Sequence, residues 1–164
     1  MIRAISGEVS PGEVSLRTGG LKHGMSGGEG SEDAGRPGED AVVRVLVVDD
    51  HEFFRGVMCE LVDATPGFSV VGEAACGEDA LSTAAAVSPD FVLMDIRMPG
   101  LGGLEAAGRL LELRPGLVVL LLSAHELPES LPPGLDPHAV SVIRKRDLRN
   151  TLLRAVWDAR PRVA

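Results

Sequence analysis

Short, mostly apolar runs alternate along this chain with longer stretches that carry a single apolar stripe. The runs lie at 42–48, 91–94, 117–122 and 139–143, and a fifth, less apolar, at 68–72. Runs of this length, rich in Val, Ile, Leu and Phe, read as strands buried on both faces. Between them, Phe54, Val57, Met58, Leu61 and Val62 follow the i, i+3, i+4, i+7 spacing of one helix face. Ala80, Leu81, Ala84 and Ala85 do the same in a helix over 78–87, and Leu104, Ala107, Gly108 and Leu111 in a third. Pro66-Gly67, Pro89 and Pro115-Gly116 stop these helices. A last helix begins near Asp147, with Leu148, Leu152, Leu153 and Val156 turned inward. Strands alternating with helices imply right-handed crossovers, hence a doubly wound α/β fold on a five-stranded parallel sheet.

The alternation fails in one place. Between the runs at 117–122 and 139–143 the chain reads His125-Glu-Leu-Pro-Glu-Ser-Leu-Pro-Pro-Gly-Leu-Asp-Pro-His138. Pro128 can open a helix. Pro132 and Pro133 would stand inside it at a cost of about 3 kcal/mol each, with Gly134 next. A turn or two at most, then irregular loop, is the expectation, in place of a fourth regular helix.

Residues 1–40 hold ten of the twenty glycines and almost no apolar periodicity. Such a segment buries too little surface to offset its chain entropy, so a disordered tail is expected there. Met25 offers an internal start. Residues 41–160 are the expected folded domain.

The net charge of -8 argues against nonspecific nucleic-acid binding by the whole chain. Direct DNA contact is left to the last helix, where seven Arg or Lys between 144 and 162 face only Asp147 and Asp158. Cys59 and Cys76 lack the spacing of a metal motif and read as reduced thiols of a cytoplasmic protein. No apolar run approaches the roughly 18 residues of a membrane span.

The chemistry gathers at strand ends. Asp49 and Asp50 follow the run at 42–48, Asp95 that at 91–94, Ser123 that at 117–122 and Lys145 that at 139–143. In an open parallel sheet these ends share the edge where ligands bind. Neighbouring carboxylates repel unless a cation lies between them, so the set predicts a divalent metal and, through Ser123 and Lys145, an anion such as a phosphoryl group. Pro99-Gly100 forces a tight turn soon after Asp95. That turn can present the backbone carbonyl of Arg97 to a metal held by Asp50 and Asp95, while Asp49 holds one of its waters. Such an oxygen set suits Mg2+. Asp95 can act as nucleophile toward phosphorus, giving an acyl phosphate, with metal and Lys145 offsetting the repulsion.

At this point the chain resembles the receiver domain of two-component response regulators, in its NarL-like transcriptional class. The resemblance rests on Val-Val-Asp-Asp-His-Glu-Phe-Phe-Arg (47–55), Val-Val-Gly-Glu-Ala-Ala-Cys-Gly-Glu-Asp-Ala-Leu (70–81) and Met-Asp-Ile-Arg-Met-Pro-Gly-Leu-Gly-Gly-Leu-Glu (94–105). It implies a flavodoxin-like strand order of 2-1-3-4-5, and Asp95 as the phosphoacceptor. It also implies Asp50 as a direct Mg2+ ligand, Ser123 and Lys145 as phosphoryl-binding groups, and a sensor histidine kinase as donor. Arg97 and His125 stand where the family tunes the lifetime of the acyl phosphate. The family often has Tyr or Phe three residues before the Lys as a switch; this position is Val142, and the chain has no tyrosine. Only nineteen residues follow Lys145, so no DNA-binding output domain is expected, and signalling would run through contact with a downstream protein. Two alternatives remain beside a phospho-accepting regulator. One is a degenerate receiver that docks or homodimerises without phosphorylation; the other is a shortened form of a DNA-binding regulator. An aspartyl-phosphate phosphatase on a similar sheet would carry a second Asp where Arg97 stands. The chain is therefore read as a signalling domain whose only catalysis is its own phosphorylation.

Overall fold

The computed structural model describes residues 41–161. The expectation of a disordered tail over 1–40 lies outside them. Five strands, β1 (Val43–Val48), β2 (Phe68–Ala74), β3 (Phe91–Asp95), β4 (Val118–Ser123) and β5 (Val140–Arg144), form one parallel sheet in the order β2-β1-β3-β4-β5. Four α-helices accompany them: α1 (Glu52–Asp63), α2 (Gly77–Val87), α3 (Gly103–Leu113) and α4 (Asn150–Asp158). The doubly wound parallel sheet is the one expected from the alternation of runs and stripes, and its flavodoxin-like strand order is the one the family resemblance implied.

Strand periodicity divides the core between two faces. Leu46, Val48, Val92, Met94, Val119, Leu121 and Val142 point toward α2 and α3. Val45, Val47, Phe91, Leu93, Leu120, Leu122 and Ile143 point toward α1 and α4. Each such side chain, removed fully from water, contributes about 1.5–3 kcal/mol before entropy is charged against it. The β1–β2 register slips between Val45 and Leu46, so that Val45 faces Val70 while Leu46 faces Gly72.

The helices meet the sheet with smaller residues than the apolar stripes imply. In α3 the buried positions are Gly103, Ala106, Ala107 and Leu110, while Leu104, Gly108 and Leu111 are only half-buried. In α2, Ala80 and Ala84 are buried, Leu81 is half-buried and Ala85 is exposed. In α1, Met58 and Val62 are buried, but Val57 is exposed. A close approach to the sheet requires small side chains, and long ones then cover the flanks. The last helix starts later than expected. A 3-10 turn, Lys145–Asp147, comes first, and α4 begins at Asn150.

Residues 124–139 contain no helix, in keeping with the expectation of a turn or two at most. Leu127, Leu131 and Leu135 nevertheless pack on the α2–α3 side of the core. The segment thus covers the core that a helix would cover, with almost no backbone ladder of its own.

Candidate functional site

The C-terminal ends of β1, β3 and β5 bring three charged side chains together. Asp49, the first residue past β1, is fully buried. Its amide donates to the Ala74 carbonyl at 3.1 Å, and its own carbonyl accepts from the Arg55 guanidinium at 2.8 Å. These bonds fix the turn out of the strand. The Asp49 carboxylate accepts from the His51 amide (2.8 Å) and from Lys145 Nζ (2.6 Å). Lys145 Nζ also lies 3.5 Å from Asp95 Oδ2 and 4.3 Å from the centre of the Phe54 ring. The ammonium is therefore shared between two carboxylates and seated on an aromatic face, a desolvated setting that strengthens each contact.

Asp95 closes β3 and is buried. Burial raises its pKa above the ordinary carboxylate value; the charge of Lys145 offsets part of this, and that of Asp49 adds to it. Asp50, partly exposed, has a buried Oδ1 that makes no hydrogen bond. His51 Nδ1 lies 3.1 Å from that oxygen, close enough for an ion pair but not arranged as a hydrogen bond. An orphaned buried carboxylate oxygen is costly unless a cation occupies its lone pair. The donor atoms of Asp49, Asp50 and His51 lie within 4.8 Å of one another, and the two carboxylates among them suit a hard divalent ion.

The loop after Asp95 is held from α2. Glu78 Oε1 accepts from the Leu101 amide at 3.0 Å, and Met98 and Leu101 are buried. The Glu78 carboxyl is kept below its usual range by its own backbone N–H and that of Leu101. Gly100 has φ +75°, and a Cβ there would stand 2.8 Å from Glu78 Oε1. At the start of α3, a Cβ on Gly103 would overlap the Asp95 carbonyl oxygen. Arg97 is exposed within this loop.

Ser123, the last residue of β4, is buried, but its hydroxyl is occupied: it donates to the Glu126 carbonyl (3.1 Å) and accepts from the His125 amide (3.2 Å). His125 is exposed. Val142 is buried in β5 opposite Leu121. Sequence reasoning missed His51, Phe54 and Glu78. His51 adjoins the two aspartates and could have been read from that alone. Nothing in the sequence pattern ties Glu78 to Leu101 or Phe54 to Lys145.

A parallel sheet in this strand order, with acidic residues and a lysine at its C-terminal edge, defines a receiver-type signalling domain. The chain belongs to the response regulator receiver domain family, which it matches over residues 45–156. It is 45% identical over 85 residues to the response regulator GacA of Pseudomonas aeruginosa and 40% identical over 84 residues to UvrY of Escherichia coli K12. Those stretches are 52% and 51% of this chain but only 40% and 38% of the relatives. The chain thus matches less than half the length of each. Among solved structures it is similar to the receiver domain of the response regulator NarL from Mycobacterium tuberculosis. That likeness has a TM-score of 0.62 and 36% identity, and covers 72% of this chain and 95% of that one. The receiver domain of Thermotoga maritima CheB is similar too, with a TM-score of 0.61 and 33% identity, covering 72% of this chain and 96% of that one. Among the described residues no helix is long and apolar enough to cross a membrane.

Proposed function

We propose that this chain is a phospho-accepting regulator in which Asp95 takes a phosphoryl group from the phosphohistidine of a sensor kinase. The observation that carries this reading is the pairing of buried Asp95 and Asp49 with one lysine, beside an Asp50 oxygen that has no hydrogen bond. A carboxylate oxygen of Asp95 attacks phosphorus, the P–N bond to the kinase histidine breaks, and the histidine leaves with the bonding pair. Lys145, already 3.5 Å from Asp95, neutralises charge on the incoming oxygens. Asp50, Asp95 and the Arg97 carbonyl would hold Mg2+, with Asp49 reaching it through water. When bound, Mg2+ supplies further neutralisation of the phosphoryl oxygens. Ser123 would turn its hydroxyl from Glu126 to the new phosphoryl group. Arg97 and His125 stand at the rim, exposed, where they would govern water access to the acyl phosphate. The folded unit is taken as 41–160, acting in the cytoplasm and signalling through contact with a downstream protein rather than directly on DNA.

Incubation with Mg2+ and acetyl phosphate is expected to add the mass of one phosphoryl group to the wild type and none to Asp95→Asn. A wild type that gains no mass would refute the reading. A second reading, a receiver that docks on a partner or on a second copy without phosphorylation, is favoured by the helix-free 124–139 segment and by aliphatic Val142. Partner binding that is equal for wild type and Asp95→Asn would select it.

A further inference from the structure

We propose that Glu78 is a positioning residue for the phosphorylation of Asp95: from the first turn of α2 it holds, by one hydrogen bond, the loop whose backbone orients the attacking carboxylate. The inference rests on the reading of Asp95 as phosphoacceptor and names a residue on another element that serves it.

The loop joins β3 to α3 and spans residues 96–102. Its near end is tied by backbone. The Ile96 amide donates to the Leu122 carbonyl of β4, and the Ile96 carbonyl accepts from the Gly103 amide, both at 2.9 Å. Its far end meets α2. The Leu101 amide donates to Glu78 Oε1 at 3.0 Å, and a Cβ on Gly77 would overlap the Leu101 carbonyl oxygen. A Cβ on Gly100 would stand 2.8 Å from Glu78 Oε1. Two glycines, one on each side, thus let the carboxylate come close enough to pair with the loop backbone. Burial of Met98 and Leu101 also retains the loop, but apolar contact is non-directional. A hydrogen bond fixes register and orientation as well.

The loop in turn acts on Asp95. Burial raises the Asp95 pKa; the charge of Lys145 and, less strongly, the backbone N–H of Arg97 oppose this. That N–H lies in the loop, four residues before Leu101, with Pro99-Gly100 between them. Because the Pro-Gly turn is stiff, a shift at Leu101 reaches the N–H that steadies the Asp95 carboxylate, and a misaimed nucleophile reacts more slowly. A simpler role for Glu78 is charge alone, since an acid in the first turn stabilises a helix whatever it touches. Reach separates the two roles. Aspartate keeps the charge but is one methylene short of Leu101. Glutamine keeps the reach and the acceptor oxygen but loses the charge.

The test compares the full chain as wild type, Glu78→Ala, Glu78→Asp, Glu78→Gln and, as a control on the next residue, Asp79→Ala. Two quantities are read: the initial rate of mass gain from acetyl phosphate at one fixed Mg2+ concentration, and hydrogen exchange at the Leu101 amide by NMR. Glu78→Ala and Glu78→Asp are expected to slow phosphorylation about tenfold and to lose protection at Leu101. Glu78→Gln is expected to stay within about twofold of wild type with Leu101 still protected, and Asp79→Ala to match wild type in both. A fast Glu78→Asp beside a slow Glu78→Gln would overturn the proposal in favour of helix charge. Wild-type rates in both Glu78→Ala and Glu78→Asp would overturn it too, because the loop would then keep its place unaided. A wild type that gains no mass is a different result: it refutes the phosphoacceptor reading, and the role of Glu78 in the reaction falls with it.

Discussion

Asp95 illustrates how one residue couples stability to readiness for chemistry. Its carboxylate stands in a buried place, next to Asp49, with Lys145 as partial compensation. Because its pKa is raised in the fold, the folded state holds the proton more tightly than the unfolded chain does. The stability this confers is full below the ordinary value of 3.8 and is lost as pH rises through the raised value. Asp95→Asn removes the charge while Lys145 keeps Asp49 as its partner. In metal-free buffer the variant is expected to melt higher than wild type at neutral pH, with the gap closing as pH falls toward the ordinary carboxylate value. A variant that melts lower at neutral pH would show that the lysine outweighs burial. The individual site residues were legible because each follows an apolar run. Their partnerships were not. Lys145 and Asp49 are 96 positions apart, and no local pattern says that the ammonium rests on Asp49 at 2.6 Å rather than on Asp95.

At the scale of elements, α3 shows what hydrophobic periodicity can and cannot deliver. Its existence and span were readable from the stripe and from Pro115-Gly116. Its buried face was not, because Leu104 and Leu111 outrank alanine on any hydrophobicity scale, while the sheet admits only Gly103, Ala106, Ala107 and Leu110. The cause is distance: the first turn of α3 presses on the carbonyl of Asp95, where a Cβ at Gly103 has no room. Gly103→Ala is therefore expected to cost about 1–3 kcal/mol in chemical denaturation and to weaken Mg2+ binding by moving the Asp95 backbone. A fully stable variant with native Mg2+ affinity would mean that the helix can slide away at no cost. The missing helix between β4 and β5, by contrast, was plain in the sequence, since two adjacent prolines and a glycine leave a helix no continuous path.

Across the whole molecule, the input edge is densely bonded and the neighbouring face is not. Ser123 ties its hydroxyl to Glu126, but from there to Val140 only scattered turn bonds hold the backbone. Val142, an aliphatic residue buried within β5, has no ring to swing. Phosphorylation is expected to leave amide hydrogen exchange across residues 126–143 nearly unchanged; clear protection or release there would contradict this. The bare connection also bears on the order of assembly. A crossover helix gives its strand local contacts that form early. Without one, β5 reaches β4 only by closing an open loop, whose entropy is repaid late. Lys145 travels with β5, so during folding the aspartates gather before their cation arrives. Ile143→Val is thus expected to quicken unfolding and leave the refolding rate almost untouched, a low φ-value. Slowed refolding would place β5 in the nucleus instead. The proline segment would then affect more than signalling, by making the charge balance of the pocket the last part of the fold to be completed.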